Sequence, residues 1–247
     1  MSKTIEEYSL NAWPALQTLV LDGWLLRFAD GYTKRSNSIN AIYAGMEENI
    51  GEKITKCEEI YSRSDLDVVF KITPFVPDLL DKTLENRGYN VLDPSSVKTL
   101  ESLKNIKDPF MKDVENAECL NDKWLEIMSE FNGLSERNKF ITQKLLSGLL
   151  VRKGYFILYN NSIPVACGLG AVEGNYVGLY DIVTSAHYRN HGYGEQLILN
   201  ILNWAKSIGA TKSYLLVVQN NMPAIKLYEK LNYREIYTYW YRCKRIL

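Results

Sequence analysis

The chain has 247 residues, 46% apolar and 23% charged, with Lys plus Arg and Asp plus Glu balanced at 29 each. That length accommodates one large domain or two smaller ones with ample core. Zero formal charge, with no basic cluster longer than Lys34-Arg35, weighs against a nucleic-acid partner.

The N-terminal MSKTIEEYSLNAW lacks the apolar core of a secretory signal, and no stretch nears the ~20 apolar residues of a membrane span, so a cytoplasmic protein with no membrane partner is expected. Cys57, Cys119, Cys167 and Cys243 are far apart, and His187 and His191 are the only histidines. No zinc-ligand spacing results, and no metal is expected.

In chain order, residues 24–28 and 38–43 read as strands flanking an Asp30-Gly31 turn. Over 50–62, Ile50, Ile54, Cys57, Ile60 and Tyr61 recur at helical spacing, and 68–72 reads as a short buried strand. Pro77 opens a helix that runs to Arg87 and is closed by Gly88. The polar run 93–108 marks the join between two alternating α/β halves, assigned as 1–105 and 106–247. The second half opens with a strand near 110–116 and helical segments over 121–150. Strands at 155–159, 164–172 and 176–184, separated by Asn160-Asn161 and Glu173-Gly174-Asn175, predict an antiparallel meander. A helix follows over 192–208, with Leu197, Ile198, Ile201, Leu202, Ala205 and Ile208 in one stripe. A buried strand at 213–218, a helix near 222–231 and an aromatic strand at 233–243 complete the chain. Tyr237, Tyr239, Trp240 and Tyr241 make that last strand a candidate homodimer edge.

The chemistry-bearing segment begins where the strand ending at Thr184 feeds the turn 188–194, with Gly192 and Gly194, and then a helix. A glycine-bearing turn at a helix N-terminus gathers unpaired N–H groups and the positive helix end, a seat for a pyrophosphate. A plain β–α reversal is the other reading of the same turn. Further on, the buried strand 214–218 leads to Asn221 and a helix carrying Ala224 and Tyr228.

The string Arg189-x-x-Gly192-x-Gly194, followed by Asn221-x-x-Ala224-x-x-x-Tyr228 and Tyr233, resembles the GNAT superfamily of N-acetyltransferases. The last element matches the pattern NxxAxxxYxxxGF except that Asn232-Tyr233 replaces Gly-Phe, and Asn also tolerates a left-handed helix end. The resemblance covers about 110–247 and implies an α/β mixed-sheet acyl-CoA N-acyltransferase fold. It implies acetyl-CoA as cosubstrate, with backbone groups of Ile182, Val183 and Thr184 pairing with the pantetheine arm. The diphosphate would then sit on the amides of Asn190, His191, Gly192, Tyr193, Gly194 and Glu195, behind Arg189. Asn221 would bond near the arm, and Tyr228 would act as the acid for the departing thiolate. Core packing is the alternative for Tyr228, which shares a helical face with Ala224 and Leu231.

For the general base, some members carry a Glu where this chain has Leu216. Asp181 is the best remaining candidate, although an exposed or capping carboxylate is an equal reading; Tyr180 and Glu173 are less attractive. The acceptor is expected to be a small-molecule or peptide amine. Residues 75–89 resemble the closing helix-turn of the same fold, with Pro77 opposite Asn221 and Leu84 opposite Tyr228. The first half therefore reads as a degenerate partner in a tandem of GNAT-like halves, with an unrelated lid as the alternative. Arg27, Arg35 and Asn37, in its aromatic-polar stretch 23–38, are candidates for acceptor contacts, against a solvated edge hairpin. Two rivals to the enzyme remain: a non-catalytic acyl-CoA-binding sensor, and a nucleotide- or phosphate-binding protein that the Asn221–Tyr228 pair does not support.

Overall fold

Residues 2–43 and 49–245 are described by a computed structural model. The first half runs α1 (Ser2–Ala12), β1 (Gln17–Leu21), β2 (Trp24–Phe28), β3 (Ile39–Asn40), α2 (Ile50–Arg63), β4 (Val68–Ile72), α3 (Asp78–Asn86) and β5 (Asn90–Leu100). The second runs β6 (Val114–Ala117), α4 (Asp122–Asn132), α5 (Glu136–Ser147), β7 (Arg152–Asn160), β8 (Ile163–Glu173), β9 (Tyr176–Thr184), α6 (Tyr193–Ser207), β10 (Lys212–Val218), α7 (Met222–Lys230) and β11 (Arg234–Lys244). Among the described residues no helix is long and apolar enough to cross a membrane.

The halves share a plan. β3 crosses over through α2 to pair parallel with β4, as β9 crosses over through α6 to pair parallel with β10. Parallel neighbours require such a crossover, whereas the β7–β8–β9 meander needs only tight turns. All strands join one 11-stranded sheet ordered β1-β2-β3-β4-β11-β5-β10-β9-β8-β7-β6. The final strand of each half has crossed to the other: β5 pairs with β10, and β11 with β4, while the two also pair with each other, so the aromatic β11 is an interior strand and not the homodimer edge expected from its sequence.

On one face of the C-terminal sheet, α6 buries the stripe Leu197, Ile198, Ile201, Leu202 and Ala205. Each large side chain so buried contributes roughly 1.5–3 kcal/mol. The approach is close because β8 carries glycine there: a Cβ on Gly170 would lie 2.7 Å from Ile201 Cγ2. The opposite face is covered by α4, through Trp124, Leu125 and Met128, and by Ile5 of α1.

Several elements depart from the sequence reading. The polar run 93–108 is, in its first part, the central strand β5, with Ser95, Ser96, Lys98 and Thr99 buried. Its ladders to β10 and β11 satisfy the backbone, and Lys98 reaches Glu229 at 3.4 Å. α1 and β1 were not anticipated. In α1 the buried row includes Glu6, which pairs with Lys71 and accepts from the Tyr237 hydroxyl at 2.7 Å, so a charge occupies a core position. β1 shows exposed or partly exposed positions throughout, without the alternation that marks a strand.

The exchanged β11 is fastened to the first half by Arg242. Its guanidinium grips Asp81 of α3 with Nε–Oδ1 2.8 Å and Nη2–Oδ2 3.0 Å, and Trp240 donates to the same carboxylate at 2.9 Å. Bonding to Arg242 lowers the Asp81 pKa, against a smaller opposing effect of burial. Asp81→Ala leaves a buried guanidinium with Glu85 and the Tyr89 carbonyl only, and should cost about 2–3 kcal/mol in denaturant titration at neutral pH. Because the folded pKa is depressed, this contribution is full above the ordinary carboxylate range and should fade as pH falls through the folded value.

Candidate active site

Beyond β9 the chain makes a short 3-10 turn over Ala186–Tyr188 and then the bend into α6. Asn190 takes φ +64° and Gly192, the N-cap of α6, takes φ +81°, so the bend passes twice through the left-handed region. No loop, turn or cap acceptor among the described residues takes the amides of Asn190 to Glu195, and the first amide bonded is that of Gln196, to Gly192 O. A Cβ on Gly192 would meet no atom within 4 Å, whereas one on Gly194 would touch Leu227 and Thr184 at 3.3 and 3.4 Å. The bend is therefore braced on its inner side by α7 and β9 and open on its outer side. Arg189, Asn190 and His191 are exposed, and the His191 ring stacks on Tyr193.

The parallel pairing of β9 with β10 spans Tyr176–Lys212 to Leu179–Leu215 and stops, although both strands continue. At the same point the β8–β9 ladder slips: Cys167 faces Val183 and Leu169 faces Tyr180, leaving Asp181 and Ile182 opposite Gly168. This is a β-bulge, and Asp181 adopts φ +48° within it. Ile182, Val183 and Thr184 thus form one wall of a gap between β9 and β10. At its far end Asn221 caps α7, its Oδ1 accepting from Ala224 N at 3.3 Å.

Asp181 follows Tyr180, over whose ring Arg35 of the first half lies, and is within electrostatic reach of that guanidinium. Its Oδ2 is buried with no hydrogen-bond partner. Desolvation pushes its pKa up to about 6 against the lowering influence of Arg35. Arg35 lies over the rings of Trp13 and Tyr180, its guanidinium carbon 5.4 and 5.5 Å from their centroids, and its Nε is also buried and unpartnered. Tyr32 packs against Ala29, Ile141 and Leu145, and its pKa is raised chiefly by burial, with Asp181 adding to the rise and Arg35 opposing it.

Arg27 and Asn37, read from sequence as acceptor contacts, instead build this wall. Arg27 donates to the carbonyls of Arg35, Leu10 and Trp13, and burial lowers its pKa to about 10. Asn37 accepts from the amides of Ala29 and Gly31 and donates to Tyr32 O at 2.7 Å. Both are buried; Asn37 is spent on the loop that carries Tyr32 and Arg35, and Arg27 ties that loop to the end of α1.

Tyr228 sits on the other face of the sheet, in the α6–α7 core beside Tyr233. Desolvation pushes its pKa up to about 12. Its hydroxyl bonds to no described residue and is not among the fully buried orphaned atoms, so the phenol oxygen keeps a solvent-reachable edge. Asp181, beside Tyr180 and Arg35, and Tyr228 therefore belong to opposite faces of the sheet. Glu173 is remote in role, accepting from Asn11 at 2.9 Å, and the Tyr180 hydroxyl is bound to that of Tyr214. A separate cavity of about 220 Å³ lies between Glu195, Leu199, Lys230 and the loop after β5, and contains neither Asp181 nor Tyr228. Among the described residues no group of His, Cys, Asp and Glu is arranged to hold a metal.

The family described as "Probable histone acetyltransferase Rv0428c C-terminal" matches residues 2–242. An uncharacterised N-acetyltransferase of Bacillus subtilis (strain 168), YobR, is 27% identical over 248 residues, spanning 98% of each chain. Among solved structures, a GCN5-related N-acetyltransferase from Kribbella flavida superposes with a TM-score of 0.74 at 13% identity, covering 100% of this chain and 96% of that one. A tandem GNAT protein from the clavulanic acid biosynthesis pathway gives a TM-score of 0.63 at 12% identity, covering 84% of this chain and 74% of its own.

The buried carboxylate of Asp181 carries a consequence for stability. Its folded pKa of about 6 lies above the ordinary 3.8, so ionising it in the fold is unfavourable. The penalty is absent below the ordinary value, grows as pH rises towards the folded value and is constant above it, with an upper bound of roughly 3 kcal/mol. Asp181→Asn removes the titration and should stabilise the protein in denaturant melts above that range, the gain shrinking as pH falls.

Proposed function

This chain belongs to the GNAT superfamily of N-acetyltransferases, and on that premise we propose that it moves the acetyl group of acetyl-CoA to an amine by direct attack. The observation that carries the reading is the pairing of a bend full of unspent amides with a gap between β9 and β10 that opens at the Asp181 bulge. The bend fits a diphosphate: its amides are unspent, the helix end is positive, and Gly192 leaves the approach open. Arg189 stands at its entrance, and the amides of Asn190, His191, Gly192, Tyr193, Gly194 and Glu195 are the donors. The unpaired side of Ile182, Val183 and Thr184 fits the amide groups of a pantetheine arm, with Asn221 at its flank. A coenzyme A thioester supplies an activated acyl carbon; the rest is the work of side chains.

An ammonium acceptor must lose a proton before its nitrogen can form the new C–N bond. Asp181 is ionised at neutral pH yet more basic than an exposed carboxylate, and the burial that raises it lowers the pKa of an ammonium beside it. The amine proton passes to the Asp181 carboxylate as the C–N bond forms and the C–S bond breaks. Tyr228, neutral throughout the working range, donates a hydrogen bond to the departing thiolate. Its pKa of about 12 exceeds the ~8.5 of a thiol, so it stabilises developing charge more than it delivers a proton. Cys167, on β8 opposite Val183, is buried with its thiol pKa pushed up by desolvation, and Cys57 lies in the other half's core, so neither is set up as a nucleophile for a covalent acyl-enzyme.

The reading is tested by thiol release from acetyl-CoA with a panel of amines. Release should require an amine, and Tyr228→Phe should lower turnover by about tenfold or more while acetyl-CoA affinity stays within a few-fold. Equal turnover in both forms removes Tyr228 from the mechanism. Tight acetyl-CoA binding with no amine-dependent release from any member favours a sensor.

A further inference from the structure

Resting on this acyl-transfer reading, we propose that the acceptor is a small zwitterion, an amine bearing a carboxylate a few atoms away, with Arg35 of the N-terminal half binding the carboxylate and Asp181 receiving the amine.

The argument begins with how the chain treats its other inward-facing arginines. Arg27 is spent on three backbone carbonyls, Arg87 on Glu58 and Gly51 O, and Arg242 on Asp81 and Glu85. Arg35 forms no hydrogen bond to any described residue, and its Nε is fully buried and orphaned. It is nevertheless held in place. Trp13 and Tyr180, with ring planes 16° apart, present their faces to its guanidinium, and Arg27 pins its backbone carbonyl at 2.9 Å. An immobilised cation without a partner is costly to leave so, and a planar guanidinium with free edges matches a carboxylate in bidentate fashion.

Asp181 Oδ2 is orphaned in the same way, and the two groups are not each other's hydrogen-bond partners. Arg35 lies over the ring of Tyr180, the residue before Asp181, and both charged residues stay part-exposed, so two opposite charges stand near each other with unspent polar atoms, an arrangement complementary to a molecule that is positive at one end and negative at the other. Tyr32, resting on Ala29, Ile141 and Leu145, feels both charges. A lysine side chain in a peptide has no anion beside its amine and would leave Arg35 unpaired. A free amino acid answers both groups at once.

The test compares acetyl transfer by the full-length protein to amino acids and to their decarboxylated amines in matched pairs, with Nα-acetyl-lysine amide as the peptide-like arm. Amino acids should exceed their amines in kcat/KM by at least about 100-fold. Arg35→Met, which keeps the stem, should collapse that ratio to below about threefold when both members of a pair are measured in the same variant, and Arg35→Lys should restore part of it. A thermal melt confirms that each variant is folded. Equal rates for both members of every pair, a preference that survives Arg35→Met, or preferred use of the lysine amide each overturns this assignment and leaves the acyltransferase intact. No transfer to any amine overturns both.

Discussion

The whole site hangs on one irregularity, the left-handed residue at the bulge in β9. A regular strand would send the side chain at 181 to the face opposite Tyr180 and keep β9 in step with β8. The extra residue changes both. It slips the register of β9 against β8 just where the pairing of β9 with β10 ends, and it leaves a carboxylate next to Tyr180, over whose ring Arg35 lies. A non-glycine residue at positive φ is uncommon, and Asp is among the types that tolerate it best. The strain and the unpartnered carboxylate fall on the same residue, as expected where local stability has been given up for chemistry.

The exchange of β5 and β11 explains why the first half matters to a site whose motifs lie in the second. Each half closes its sheet with the other's last strand, so the β2–β3 loop is held at a fixed place against α1, α5 and β9. Arg27 on β2 and Asn37 at the end of the loop do for the backbone what a ladder would do, and the Arg35 guanidinium is left without a hydrogen bond. On the proposed reading, a half that lacks its own glycine turn and its own phenol serves as the acceptor wall of its neighbour.

Much of this was legible in the sequence where a signal is local. The stripe on α6, the turns at Asn160-Asn161 and Glu173-Gly174-Asn175, and the Gly192 bend depend on near neighbours, and β9 appears with the limits read from its pattern. Features that depend on a distant partner were hidden. A bulge exists only relative to the facing strand, so nothing around Asp181 announced it. That residue was reached by elimination, because Leu216 occupies the place of a Glu. β5 looked like a polar join because its backbone finds a ladder only once β10 and β11 flank it, and Lys98 finds a carboxylate only in Glu229 of α7. Arg35 was indistinguishable from Arg27 in a list of residues; only burial and hydrogen bonding separate the idle guanidinium from the spent one.

The central claim is that the Asp181 carboxylate, with a buried and unpartnered Oδ2, lies within the electrostatic reach of the Arg35 guanidinium without being bonded to it. A carbon-detected NMR titration of the Asp181 side chain measures this directly, in the protein as it is and with Arg35 replaced by Met. The account predicts a midpoint near about 6 that moves upward when the cation is lost, since Arg35 lowers it. A midpoint at the ordinary carboxylate value, unmoved by the replacement, would contradict it.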